Sequence, residues 1–417
     1  MVGIRESMKG SAIDLGDGFA PELPVLGAYV ADLKREGFAF DGATIMIIVQ
    51  HVLRTNVELI RSMLDLGLAP ERTFVLGKGY STDRRCSGSL RALGVDVTDD
   101  LPPPNPGEYA ARRDQEIDDF WASVEGDRYL ASDIPVIIDD VGGRLLRRAA
   151  QFPRVARVSG VEQTTSGVRR VERLSLGFPV VNLARAAAKM QHESPLLASE
   201  ILRRMDTTNP GHWPIGRVCV VGNGSVGAAL VRAMEARGIQ VTPYDVAAKN
   251  LSDSSPGGVL PTCIAEADFI FGCTGQELFD GAPLSEFRGG ATFVNCSSED
   301  VEFAPILRHA ERRQNVDWPA ADVKISIEGQ SVTVLNGGFP LNFDDSGVSL
   351  PERSVQLTTA LTLAGIVTAS RHCASSNARS SEPLIEIPQV VQDQIVAHYQ
   401  RIVGREGSDE DLSGGAR

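Results

Sequence analysis

Short, nearly continuous apolar runs recur along the chain, separated by stretches of helical periodicity. The first clear run is Ala43-Thr44-Ile45-Met46-Ile47-Ile48-Val49-Gln50. A strand with one wet face alternates, whereas a run apolar at nearly every position fits a strand covered on both faces of a parallel sheet. Thr73 to Leu76, Val95 to Val97 and Ile134 to Asp140 repeat the pattern, the last ending in two carboxylates. Between them, Asn56 to Leu66 (stopped near Gly67) and Ser87 to Leu93 read as helices, and Pro102 to Pro106 as a loop. Residues 1–40 carry few strong signals. The β-α-β-α rhythm predicts a doubly wound sheet.

Turn formers cluster from Asp206 to Pro214 and predict a linker. A second set of strand runs follows: Arg217 to Val221, Gln240 to Asp245, Asp268 to Gly272 and Ala291 to Asn295, with Ala228 to Arg237 in helical pattern. The fold class is therefore α/β, with two doubly wound domains, the second a Rossmann domain. That second domain spans 206–344. The apolar helical segment 351–370 is expected to pack back on the first domain, which then comprises 1–205 completed by 345–400. Residues 401–417 are rich in Gly, Ser, Asp and Glu and are expected to be a disordered tail.

Composition narrows the function classes. A chain of 417 residues accommodates two or three domains. Its 41 Lys+Arg against 54 Asp+Glu give −13, which argues against nucleic acid or an anionic membrane as the main partner. No apolar run approaches the roughly 20 residues of a spanning helix, and the start lacks a secretory pattern, so the expected compartment is the cytoplasm. Six scattered cysteines (86, 219, 263, 273, 296 and 373) without a Cys-x-x-Cys pair suit neither a disulfide framework nor a metal site.

Gly222-x-Gly224-x-x-Gly227 follows a strand and opens a helix, and Asp245 stands 23 residues after Gly222 at the end of the next strand. Together these form the dinucleotide fingerprint. Gly222 permits the turn, Gly224 lets the backbone approach the diphosphate, and Gly227 allows close helix–strand packing. Ser225 and Val226 begin the helix, whose free N–H groups and positive dipole end face the diphosphate. Asp245 accepts from ribose hydroxyls and repels a 2′-phosphate, so the expected cofactor is NAD. Thr274, Gly275 and Asn295 lie at carboxyl ends of strands of the same half-sheet, where ligands bind; for Asn295 an ordinary turn role is an equal alternative.

Further segments go beyond a generic dinucleotide-binding protein. Gly160-Val161-Glu162-Gln163-Thr164-Thr165-Ser166-Gly167-Val168, Pro179-Val180-Val181-Asn182 followed by Lys189, Asn295 with Asp300-Val301-Glu302, and Asp139-Asp140 stand in the order and spacing of one family. The chain resembles S-adenosylhomocysteine hydrolase from about 43 to 370. The resemblance implies a tightly held NAD that oxidises the substrate ribose at C3′, acidifying C4′–H so that a base removes it and the 5′ substituent leaves. It implies Lys189 at the 3′-hydroxyl, Asp140 near the ribose, and Thr164, Thr165, Ser166 and Asn342 at the cofactor. Glu193, at i+4 from Lys189, keeps a carboxylate on the lysine's helical face; a solvated surface pair is the alternative. His51 falls on a family histidine beside the reacting carbons, although its neighbours differ.

The departures from the family concern the substrate. Gln163 replaces a glutamate that binds ribose hydroxyl, and Ser298 replaces a histidine. Gly347-Val348-Ser349-Leu350-Pro351 stands where the family has a histidine-bearing loop. Arg144 or Gly143 replaces an aspartate facing homocysteine, and an arginine there would welcome a phosphate or carboxylate. The C-terminal Lys-Pro-x-His-Tyr-Arg-Tyr segment is absent. The resemblance implies a homo-oligomer, dimer or tetramer. Gly77 to Thr82 lacks P-loop spacing and reads as a loop, Arg144 to Arg148 as a solvated helix face, and His192 as a surface histidine. The expected function is a redox-neutral, NAD-dependent lyase or hydrolase acting on a nucleoside, for example as a dehydratase. Adenosylhomocysteine hydrolysis and a non-catalytic NAD-binding regulator are the alternatives.

Overall fold

The apolar runs become strands because each is covered from both sides. The computed structural model describes residues 22–101, 107–152, 157–208, 213–245, 260–308, 321–327, 329–343, 348–374 and 384–413, with the side chains of 327 and 405–413 left aside. The strands are β1 (Ile45–Val52), β2 (Thr73–Thr82), β3 (Asp96–Thr98), β4 (Val136–Asp140), β5 (Val158–Glu162), β6 (Val180–Asn182), β7 (Val218–Val221), β8 (Val241–Tyr244), β9 (Phe269–Gly272), β10 (Thr292–Asn295), β11 (Val323–Ile327), β12 (Gln330–Val334) and β13 (Leu384–Ile385). They form two sheets.

The first sheet has the order β13-β6-β5-β4-β1-β2-β3, with every pair parallel. The chain leaves β1 toward β2 and β3, then returns to the other side of β1 with β4. The crevice at the carboxyl ends of β1 and β4 is thus the switch point at which open α/β sheets bind ligands. One face is covered by helices Pro24–Arg35, Arg54–Asp65, Glu352–Ala374 and Gln389–Ser413, the other by Tyr109–Ser123, Gly126–Leu130 and Arg144–Ala149. Leu357, Leu361 and Ile366 of the 352–374 helix are at most 1% exposed, each contributing roughly 1.5–3 kcal/mol of burial.

The second sheet has the order β11-β12-β10-β9-β7-β8, parallel except for the β11–β12 hairpin. Its switch point lies between β7 and β9, above which stand Gly222 and Cys273. The 22-residue helix Ala187–Thr208 leads from one sheet to the other.

Three expectations are corrected. Residues Gly77 to Thr82 continue β2 rather than forming a loop, because Lys78 and Tyr80 are fully buried between the sheet and its cover. The C-terminal helix runs through to Ser413, past position 401, where composition predicts loss of order. Ile395 is buried and Val391, Tyr399, Ile402 and Val403 pack on the core, and a helix already nucleated on such a surface propagates cheaply. Residues 414–417, the predicted loop 102–106 and the linker residues 209–212 lie outside the described residues. Finally, β5, β6, β11, β12 and β13 have no counterpart in the strand runs read from the sequence. Among the described residues no helix is long and apolar enough to cross a membrane.

Candidate functional site

One cavity of about 1400 Å³ spans the crevices of both sheets. On the side of the second sheet its wall is the turn after β7. Gly222 has φ +102°, and a Cβ there would stand 2.9 Å from the Cys273 carbonyl carbon and oxygen. A Cβ on Gly227 would overlap the carbonyl oxygen of Gly222, whereas Gly224 faces open space. The three glycines therefore meet the separate demands expected of a dinucleotide turn: a left-handed bend, close packing and an open approach. Ser225 begins the helix Ser225–Ala236, and Ser225, Val226 and Asp245 line the cavity.

Across from this turn, Thr164, Thr165 and Ser166 line the cavity from the first sheet. Their loop is built on Glu162, whose Oε1 accepts from Gly142 N (3.1 Å), Thr164 N (2.7 Å) and Thr164 Oγ1 (2.6 Å). Thr164 in turn caps the helix Thr165–Val171 by accepting from Gly167 N. On the far side, Glu302 accepts from the N–H groups of Thr274 and Gly275 at 2.5 Å and from Thr274 Oγ1 at 3.0 Å. Burial pushes the Glu302 carboxyl up to about 7. Asp300 reaches the first domain, accepting from Gly107, Tyr109 and Ala110 N–H groups at the start of the helix Tyr109–Ser123. Burial raises it to about 6.

The chemical end of the cavity holds Lys189, Glu193, His51, Gln50 and Gln163. Lys189 Nζ donates to the Gln163 carbonyl at 2.7 Å and lies 3.5 Å from Glu193 Oε1; Glu193 Oε2 accepts from Thr358 Oγ1 at 2.8 Å. The Lys189–Glu193 pair is therefore part of the cavity wall, not a solvated surface pair. His51 stacks on Phe343 at 4.5 Å and its Nδ1 lies 2.6 Å from Ser81 Oγ. Burial and the positive charges of Lys78, Arg113 and Lys189 hold its imidazole well below the usual range.

Beneath these groups lies Asp139. Its two oxygens accept from Gln163 Nε2 (2.7 Å) and Gln50 Nε2 (3.3 Å), and burial raises its carboxyl to about 7. An amide at 163 satisfies this carboxylate where a glutamate would oppose it. Lys189, Gln163, Asp139 and Gln50 thus form one hydrogen-bonded chain under the cavity floor.

Several expected site residues lie elsewhere. Asp140 points from the opposite face of β4. Its Oδ2 accepts from Leu146 N while Oδ1 has no partner, and burial raises its carboxyl beside Glu162. Strand alternation explains this, since adjacent residues face opposite sides, and the cavity side belongs to Asp139. Arg144 does not line the cavity either. It bridges Glu299 Oε2 (2.9 Å) and Asp114 Oδ1 (2.5 Å), so its charge is spent within the protein. Leu145 and Leu146 are buried, so the Arg144–Ala149 helix is only partly a solvated face. Asn295 is buried and holds its own turn, donating to the carbonyls of Glu299 and Gly338 and accepting from Ser297 N; the turn alternative describes it. Asn342 and Ser298 do line the cavity, as do Thr274 and Gly275. Ser349 and Leu350 also line it, and Gly347 lies outside the described residues. His192 packs edge-on to Tyr399 away from the cavity. Among the described residues no cluster of His, Cys, Asp and Glu could hold a metal.

Sequence reasoning missed Lys78, Glu299, Gln50 and the Thr358, Thr359 and Thr362 stripe of the 352–374 helix. Glu299 (φ +64°) crosses from the second domain to Arg144, and to Lys78 at 3.9 Å. Arg144 and Lys78 hold the Glu299 carboxyl down at about 2 against its burial. Lys78 itself goes down to about 8, because for the lysine burial outweighs Glu299. The two shifts agree physically: the carboxylate has two cations, while each cation has only a share of it.

Comparisons with known proteins can be set beside this geometry. No family model matches the chain. It is 30% identical over 384 residues to "Uncharacterized protein Rv0104" of Mycobacterium tuberculosis strain H37Rv, spanning 91% of this chain and 73% of that protein. The chain belongs to this family. The counterpart in strain CDC 1551, "Uncharacterized protein MT0113", matches to the same extent. Among solved structures, the chain is similar to dipicolinate synthase A chain from Bacillus subtilis (12% identity, TM-score 0.35, 80% of this chain and 97% of that one). It is also similar to NAD+-bound 3-phosphoglycerate dehydrogenase of Entamoeba histolytica (11%, TM-score 0.34, 81% and 99%). None of these four names is that of an adenosylhomocysteine hydrolase, so that resemblance rests on the motifs.

Proposed function

We propose that this protein is an NAD-dependent enzyme that acts on a nucleoside without net redox change. The sequence of events is transient oxidation at C3′, removal of the C4′ proton, elimination of the 5′ substituent and reduction of the ketone. The observation that carries the reading is the single cavity into which the Gly222–Val226 turn and the Lys189, Glu193 and His51 side chains all open. Its volume exceeds the roughly 300–1000 Å³ of a one-ligand pocket, leaving room for a dinucleotide and a nucleoside together. The residues fit the cofactor: open space at Gly224 admits a diphosphate, and Asp245 favours NAD over NADP.

Bound there, NAD would take a hydride from the sugar carbon and return it at the end of the cycle. Lys189, held by the Gln163 carbonyl and Glu193, would hold and move a proton at the 3′ oxygen. His51 supplies a neutral imidazole near pH 7. With Nδ1–H donating to Ser81 Oγ, Nε2 carries the lone pair that proton removal at C4′ requires. The adjacent ketone makes that C–H acidic enough for a positioned base. Departure of a 5′ hydroxide as water gives net dehydration to a 4′,5′-unsaturated nucleoside.

Mass spectrometry of small molecules released on denaturing the purified protein is the first test, and NAD is expected. Deuterium from solvent should enter C4′ of the true substrate. Release of homocysteine from S-adenosylhomocysteine at an ordinary enzymatic rate would replace this reading with hydrolysis.

A further inference from the structure

Two cationic side chains of the cavity wall have no ion pair among the described residues, although Glu193, Asp245, Glu277, Asp280 and Glu286 line the same cavity. Many arginines elsewhere in the first domain are matched to acids: Arg144 to Glu299 and Asp114, Arg147 to Asp114, Arg148 to Asp118 and Asp127, Arg185 to Glu172. Such matching is expected in a chain with a net charge of −13. Arg169 and Arg173 depart from it. Both are exposed and line the cavity, and neither has an ion-pair partner among the described residues.

Arg169 is held in place. Its Nη1 donates to the carbonyl of Thr274 at 3.3 Å. Thr274 in turn adjoins the glycine turn, its Cγ2 2.9 Å from where a Cβ on Gly222 would stand. Close by, Ser166 Cβ lies 3.3 Å from the corresponding point on Gly275. The guanidinium therefore comes from the first domain and ends against the turn that belongs to the second.

We propose that Arg169 and Arg173 are the counter-charges for the diphosphate of the bound dinucleotide, reaching it from the domain opposite the glycine turn. This rests on the NAD reading above. The turn and the helix Ser225–Ala236 offer N–H donors and about half a unit of positive charge, short of the two charges a diphosphate carries. Two guanidinium groups supply the remainder and match phosphate geometry in pairs of hydrogen bonds. A ligand gripped from both domains also ties the domains together across the cavity.

The test is calorimetric titration of cofactor-stripped protein with NAD and with ADP-ribose, which keeps the diphosphate and lacks nicotinamide. The Arg169→Gln and Arg173→Gln variants should each weaken both ligands roughly tenfold, and the double variant roughly a hundredfold. The double variant should also flatten the fall of affinity with added NaCl. Arg128→Gln, a distant exchange of the same charge, should match the wild type. Thermal melting without ligand checks that the variants fold. Wild-type affinity and salt dependence in the double variant would overturn the proposal. So would unchanged NAD affinity together with lost binding of a nucleoside 5′-monophosphate, which would assign the arginines to the substrate. A wild-type protein that binds neither NAD nor ADP-ribose would instead refute the NAD reading itself.

Discussion

Glu299 is a side chain whose removal should cost this protein substantial stability. It crosses from the second domain into the first, is 5% exposed, and meets Arg144 at 2.9 Å and Lys78 at 3.9 Å. Its carboxyl is held down from 4.5 to about 2, which corresponds to about 3 kcal/mol of favourable interaction at neutral pH. Glu299→Gln keeps the shape and removes the charge. Arg144 then retains Asp114, but Lys78 (fully buried) loses its nearest anion and its charge becomes costlier. We expect a loss of about 3 kcal/mol, read from urea denaturation at pH 7. The pH dependence has a definite sign. A carboxyl lower in the folded than in the unfolded state contributes fully above its unfolded value near 4.5. That contribution is lost as pH falls toward 2, so the gap between wild type and variant should close in acid. A variant within about 0.5 kcal/mol of wild type at pH 7, or a gap that persists down to the acid limit, would refute the reasoning.

Three further outcomes follow from the site. Gly227→Ala places a methyl group on the Gly222 carbonyl and should cost at least about 2 kcal/mol and abolish dinucleotide binding; Gly224→Ala meets open space and should melt like wild type while weakening NAD in titration. Asp139 is raised in the folded state to about 7 from 3.8, so the folded protein holds the extra proton and its stability contribution should fall as pH rises from 4 to 7; Asp139→Asn should make that slope shallower in denaturation curves taken across the range, leaving the part due to carboxyls such as Glu302 and Asp300. If Lys189 has the role proposed for it, Lys189→Ala should cut turnover of the true substrate by roughly 10²–10⁴-fold while calorimetry shows NAD still bound, and equal loss of both would contradict the proposed role at the sugar oxygen.

The chain's own pattern of residues determined eight of the thirteen strands and the glycine turn, because both depend on local order. Runs apolar at every position require burial on both faces, and the glycine spacing matches a turn whose demands lie within six residues. The edge strands β11 and β13 were not legible, since short strands with one neighbour carry little hydrophobic signal. Position along a strand was legible, but the face was decided by packing. Asp139 and Asp140 look equivalent in sequence, yet only Asp139 reaches the cavity-lining glutamines. Arg144 suggested an anion site from its place in the chain, and only the fold brought Glu299 and Asp114 to neutralise it. The same is true in reverse of Arg169: its lack of an acidic partner among the described residues is a fact of three-dimensional neighbourhood. Local spacing states which groups can do chemistry, whereas long-range packing sets which of them are paired, buried or left facing a ligand.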